Sequence, residues 1–232
     1  MLSGQAIHFG SFAPAFTLSF HDRKSPADRQ NPIASVVRGN RKKKETMNLT
    51  QEHIDFENHC KQIIGLKLYS VDYYEIKYNP GNPTRNYKTR YVEIDSVDYS
   101  IVLHSETENV EICWDDQFYQ FGVGLRINEN SQFDGYQIWN MNDSEIWSDF
   151  IGEQILDLNI TWETITTTEE NTHKKKKIIY PQDMTIVFSN NKKIYISAAE
   201  FLNSNDVEVF GPLDNLTVTN NERIAKQVKM II

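Results

Sequence analysis

The sequence predicts an α+β, β-rich domain: a mainly antiparallel sheet of about seven or more strands, with a helix at about 50–64 and a short helix at about 221–228. Three observations carry this. Apolar and polar residues alternate with period two over most stretches between 66 and 218. Successive stretches are separated by clusters of Asn, Gly, Pro, Ser and charged residues, the punctuation of hairpins. Helical spacing is confined to the two ends.

The first helix reads from Thr50, or Asn48, as cap. Glu52 and Asp55 favour its first turn, and Gly65 stops it. Ile54, Phe56, Cys60, Ile63 and Ile64 give it one apolar stripe. Residues 66–78 alternate as a strand with a bulge near Ser70 and Val71, and Asn79-Pro80-Gly81-Asn82-Pro83 forms a loop. Residues 97–103 and 110–114 form a hairpin. A further strand covers 118–127, where Gly122 and Gly124 mark a bulge or a close backbone approach. Residues 128–145 read as loop and 143–150 as a short helix. Residues 155–168 and 174–179 form a second long hairpin with a charged tip, and 184–188 with 194–196 a third. A short helix over 198–202 and a strand over 216–218 precede the last helix.

Charge divides the chain at Met47. Residues 1–46 hold eight basic side chains against three acidic, a net of +5, while 47–232 hold 16 against 29, a net of −13. The first segment is rich in Ala, Ser, Pro and Arg without period, so it is read as a disordered or non-native extension. Three origins compete for it. A targeting peptide is opposed by Asp22, Asp28, Pro14, Pro26 and Pro32. A basic arm would act through 38–45. An over-extended gene start would place the true beginning at Met47, since codons for Lys42 to Glu45 can contain a ribosome-binding sequence. Residues 47–232 are then a single acidic globular domain, long enough for its own core.

Composition narrows the function. No window holds 18 consecutive apolar residues, so no membrane-spanning helix and no membrane partner is expected. Two cysteines, Cys60 and Cys113, both in apolar patterns, point to buried thiols in a reducing cytoplasm. The many Asn, Ile and Lys residues have AT-rich codons, which points to a low-GC bacterium. Phosphate repulsion by the −13 domain argues against a nucleic-acid partner. The 174–177 lysine run is read as a solvated tip or a guard against edge pairing.

Catalytic patterns are absent from the sequence. His53 and His59 lie about 240° apart around the first helix, so HExxH zinc spacing is missing. Asp115-Asp116 reads as a turn, because neighbouring strand residues face opposite ways. No nucleophile elbow, phosphate loop, Cys-x-x-Cys or dinucleotide fingerprint occurs, so no catalytic residue, metal or cofactor is assigned.

The aromatic stretch from 114 to 147 is the remaining signal. Its candidate partner-binding residues are Trp114, Asp115, Asp116, Tyr119, Asp134, Tyr136 and Trp139, aromatic anchors beside carboxylates that suit a basic partner. The expected function is a non-catalytic acidic bacterial binding protein. Its most specific version is an immunity protein that neutralises a basic toxin by steric occlusion. The alternative is an enzyme or small-ligand carrier with a pocket in a curved β-sheet.

Overall fold

The structure, a computed structural model, describes residues 47–232 apart from 90, 120, 130–134, 169–174, 202–208, 211–214 and 232. The expectations for 1–46 and for Asp134 therefore lie outside the described residues. Helix α1 (Gln51–Cys60) starts where the Thr50 backbone N–H donates to His53 Nδ1 at 3.2 Å. A 3₁₀ turn (Lys61–Ile63) extends it, and Gly65, at φ +98°, ends it as the sequence requires.

The strands among the described residues are β1 (Ser70–Ile76), β2 (Asp95–Val97), β3 (Ser100–His104), β4 (Asn109–Asp115), β5 (Gly122–Ile127), β6 (Tyr136–Asn140), β7 (Ile155–Thr168), β8 (Lys175–Phe188), β9 (Lys193–Ala198), β10 (Glu200–Phe201), β11 (Val209–Phe210) and β12 (Leu216–Thr219). Helix α2 (Glu222–Gln227) closes the chain, capped by the Asn221 side chain on the Arg223 and Ile224 backbone N–H groups. Every strand pair is antiparallel.

The β-rich antiparallel architecture holds, but the strands divide into two five-stranded sheets rather than one. Their orders are β5-β4-β3-β1-β6 and β2-β12-β9-β8-β7, with β10-β11 as a separate pair. The apolar run 97–103 reads as one strand. In fact the chain leaves the second sheet after Val97, bends at Asp98 and Tyr99, and enters the first sheet at Ser100. Val71, Tyr73, Ile101, Leu103, Ile112 and Val123 from one sheet share a core with Leu158, Met184, Ile186, Ile194, Ile196 and Val218 from the other. The two sheets are thus the layers of a sandwich. On the far side of the second sheet, α2 buries Ile224, Ala225 and Val228 against Ile94, Tyr195 and Ala199. The described residues fall in one compact unit.

Several elements differ from expectation for identifiable reasons. The stretches at 174–179 and 184–188 are one strand, β8, running straight through Pro181. Proline lacks a donor, and the β7 partner accommodates it with a register shift between Thr161 and Trp162, where Trp162 faces Pro181. The expected helix over 143–150 is a run of turns, with the Trp147 and Ser148 backbone N–H groups both donating to Ser144 O. The expected helix over 198–202 is absent because β9 runs to Ala198 and β10 follows. Strand β6, inside the expected loop 128–145, forms on the edge of β1.

Candidate protein-binding face

Helix α1 is pinned between the sheets by aromatic packing. Phe56, Phe118 and Trp162 meet edge to face, with ring centroids 5.1–5.8 Å apart. His53 packs against Phe118 at 4.8 Å and Trp162 at 4.7 Å, and is buried rather than solvent-facing. Trp162 Nε1 donates to Glu57 Oε1 at 2.7 Å. His59 Nε2 donates to the Leu125 carbonyl of β5 at 3.1 Å. Both polar bonds fix the helix against the two sheets, so its exposed carboxylates are held in place.

Between α1 and the turn joining β4 to β5 lies a groove of about 430 Å³, lined by Glu52, Asp55, Phe56, His59 and Gln117. The turn brings further carboxylates beside it. Asp115 Oδ1 accepts from the Gln117 backbone N–H at 2.7 Å, the side-chain bond that makes Asp115-Asp116 a turn. Asp115 Oδ2 also lies 3.7 Å from Arg126 Nη2, while Asp116 is exposed. Tyr119 is half-buried with its ring centroid 5.7 Å from that of Tyr180.

Trp114 and Tyr136 belong to a second cluster. Trp114 meets Phe121 at 5.3 Å and Tyr99 at 6.4 Å, both edge to face. Tyr99 stacks on Tyr136 at 4.3 Å, and Tyr74 lies 6.0 Å from Tyr136. Burial, reinforced by the contact with Tyr99, pushes the Tyr136 hydroxyl well above the usual phenol range. Arg126 links this cluster to the turn, with Nη1 3.6 Å from Glu111 Oε2 and Nη2 on Asp115.

Trp139 occupies a third place. It packs on the core, and its Nε1 donates to Glu75 Oε2 at 2.9 Å while Arg85 sits over its ring at 5.4 Å. Trp147 is fully buried and donates to Tyr73 OH at 2.7 Å, so it too is a core residue. The seven sequence candidates therefore scatter. Asp115 and Asp116 sit on the turn just before Gln117, with Asp115 directed to Arg126, Tyr119 packs on Tyr180, Trp114 and Tyr136 belong to the tyrosine stack, Trp139 lies at Glu75, and Asp134 lies outside the described residues.

Nothing local in the sequence connects α1 with the turn, because all of the chain from Lys61 to Asp115 separates them. Glu75 is not singled out by the sequence reading either, although a signal exists: Glu75 follows Val71 and Tyr73 on the inward phase of β1, where a carboxylate is out of place. Among the described residues, no set of three or more His, Cys, Asp and Glu side chains is arranged to hold a metal ion. No helix among the described residues is long and apolar enough to cross a membrane. Compared with models of known protein families, with curated proteins and with solved structures, the chain shows no match, so its site stands on its own geometry.

Proposed function

We propose that this protein binds a basic partner protein without catalysis, as an immunity protein binds and occludes a basic toxin. The observation that carries the reading is the groove beside α1, in which Glu52 and Asp55 line a solvent-facing depression and Asp115 and Asp116 adjoin it. A shallow acidic depression suits a lysine or arginine side chain from a partner surface. An acidic domain of net −13 would also steer such a partner in from solution. Phe56 at the floor and Tyr119 on the turn supply apolar contact once the charges have met.

The partner to test is the product of the gene immediately upstream, provided that it encodes a basic secreted protein. Co-expression and co-purification should recover a complex. Charge reversal at Glu52→Lys with Asp55→Lys should slow association about tenfold or more at low salt and change dissociation less. Recovery of no complex, or a folded double variant that associates at the wild-type rate, would remove the groove from the interface.

A further inference from the structure

Glu75 fastens the connection between β1 and β2. Its Oε2 accepts from Trp139 Nε1 at 2.9 Å and from the Asn86 backbone N–H at 3.2 Å. Its Oε1 is buried and has no hydrogen-bond donor among the described residues, and the residue as a whole is 1% exposed. Next along the connection, Tyr87 is buried edge-on to Tyr73 at 5.1 Å and to Trp139 at 6.4 Å. The Ser96 backbone N–H donates to Tyr87 O at 2.8 Å. Beyond it, Lys88 bridges Asp95 through the backbone, and its Nζ lies 3.4 Å from Asp95 Oδ1. By contrast, residues 79–86 are exposed.

The charged and titratable groups around Glu75 come from each neighbouring element. Burial above all raises the Glu75 carboxyl and Asp98, between β2 and β3, adds repulsion, against hydrogen bonds from Trp139 and from the Asn86 and Tyr87 backbone. Arg85 and Lys88, two of the cations of the connection, each lie over an aromatic ring. Asp95 is a second buried carboxylate, raised by burial and held by Lys88 and by Tyr73 OH at 3.3 Å. The two tyrosines, Tyr73 and Tyr87, are both pushed upward by burial and stay neutral.

We propose that Glu75 is a proton-operated latch: protonated, it holds the 79–87 connection closed over Trp139 and Tyr73, and ionised, it favours release of that connection. A neutral carboxyl tolerates burial with two donors on one oxygen. An ionised one, facing Asp98 with its second oxygen bare, gains most from water. Lifting the exposed connection admits water without breaking β1. Lys88 and Asp95 form the hinge, joined by their backbone bridge and by the 3.4 Å contact between their side chains.

The direction of the effect follows from the carboxyl, pushed up to about 7 when closed against an ordinary 4.5 when hydrated. Closure is strongest below 4.5, weakens as pH rises from 4.5 to 7, and is level above 7. The opening equilibrium should increase by up to about 300-fold across that window. The test is amide exchange of the full chain between pH 4 and 8.5, corrected for intrinsic base catalysis. The Asn86 and Ser96 amides report closure, and the Ile186 and Ile194 amides report global unfolding. The reporters should lose protection between pH 4.5 and 7 while the core amides do not. Glu75→Gln should remove this pH dependence, and Asp98→Asn should reduce its size. Reporter protection that is flat with pH in the unaltered chain overturns the latch. So does an unchanged fall in Glu75→Gln or, should that variant not fold, in Asp98→Asn.

Discussion

His104 and Asp72 form a partly buried ion pair in the first sheet, with Nε2 and Oδ2 2.9 Å apart. The Asp72 side chain, with some help from Asn109, raises His104 above its ordinary 6.5, although burial opposes the charge. Burial alone would raise Asp72, yet hydrogen bonds from His104 and Asn140 hold it below 3.8. The histidine contribution is present below pH 6.5 and is lost as pH rises through its elevated value. The aspartate contribution is present above pH 3.8 and is lost as pH falls through its lowered value. The pair should therefore help most between about pH 4 and 6.5, by about 1 kcal/mol. Urea melts of His104→Gln should fall short of the unaltered protein by that amount at pH 5.5, and the two should converge at pH 9. The cysteines make a second residue-scale test. Burial pushes both Cys60 and Cys113 up to about 12, and neither pairs with the other. Thiol reagents at pH 8 should label the native protein slowly and both residues at once in denaturant.

Gly124 of β5 shows how an element constrains a single position. A Cβ placed there would lie 2.5 Å from the Asp115 Cβ, because Asp115 folds across the strand toward Arg126. Gly124→Ala should cost about 1–3 kcal/mol and loosen the 115–119 turn, measurable as a drop in the urea midpoint without a change in slope. Much at this scale was legible in the sequence. The hairpin of β3 and β4, the Asp115-Asp116 turn and the Gly65 stop all follow from local patterns. What was not legible depends on neighbours. Strand β6 carries Tyr136 and Ile138 on one face and Trp139 on the other, but only pairing with β1 makes it a strand. Pro181 reads as a break, and only the irregular partner strand lets β8 continue through it. The bend at Asp98 and Tyr99 leaves no compositional trace inside an apolar run.

Charge is the property that belongs to the whole chain. A version starting at Met47 should melt within a few degrees of the full chain, as differential scanning calorimetry would show, because the described core draws on residues from Leu49 onward. The acidic character of the candidate face was legible as composition, since the carboxylates outnumber the cations so clearly. Its location was not, because Glu52 and Asp55 meet Gln117 only through the packing of α1 on Phe118 and Trp162. The placement of β12 between β2 and β9 reaches beyond the finished structure. β2 is Asp95–Val97, and the strand it pairs with, Leu216–Thr219, follows only after β3 to β11. During synthesis, the first sheet has all five of its strands once Asn140 has emerged, whereas β2 stays without its neighbour until Thr219 has been made. Contacts so distant in sequence close slowly. The second sheet should therefore set the refolding rate, and stopping the chain before Leu216 should leave β2 unpaired and the protein prone to aggregate.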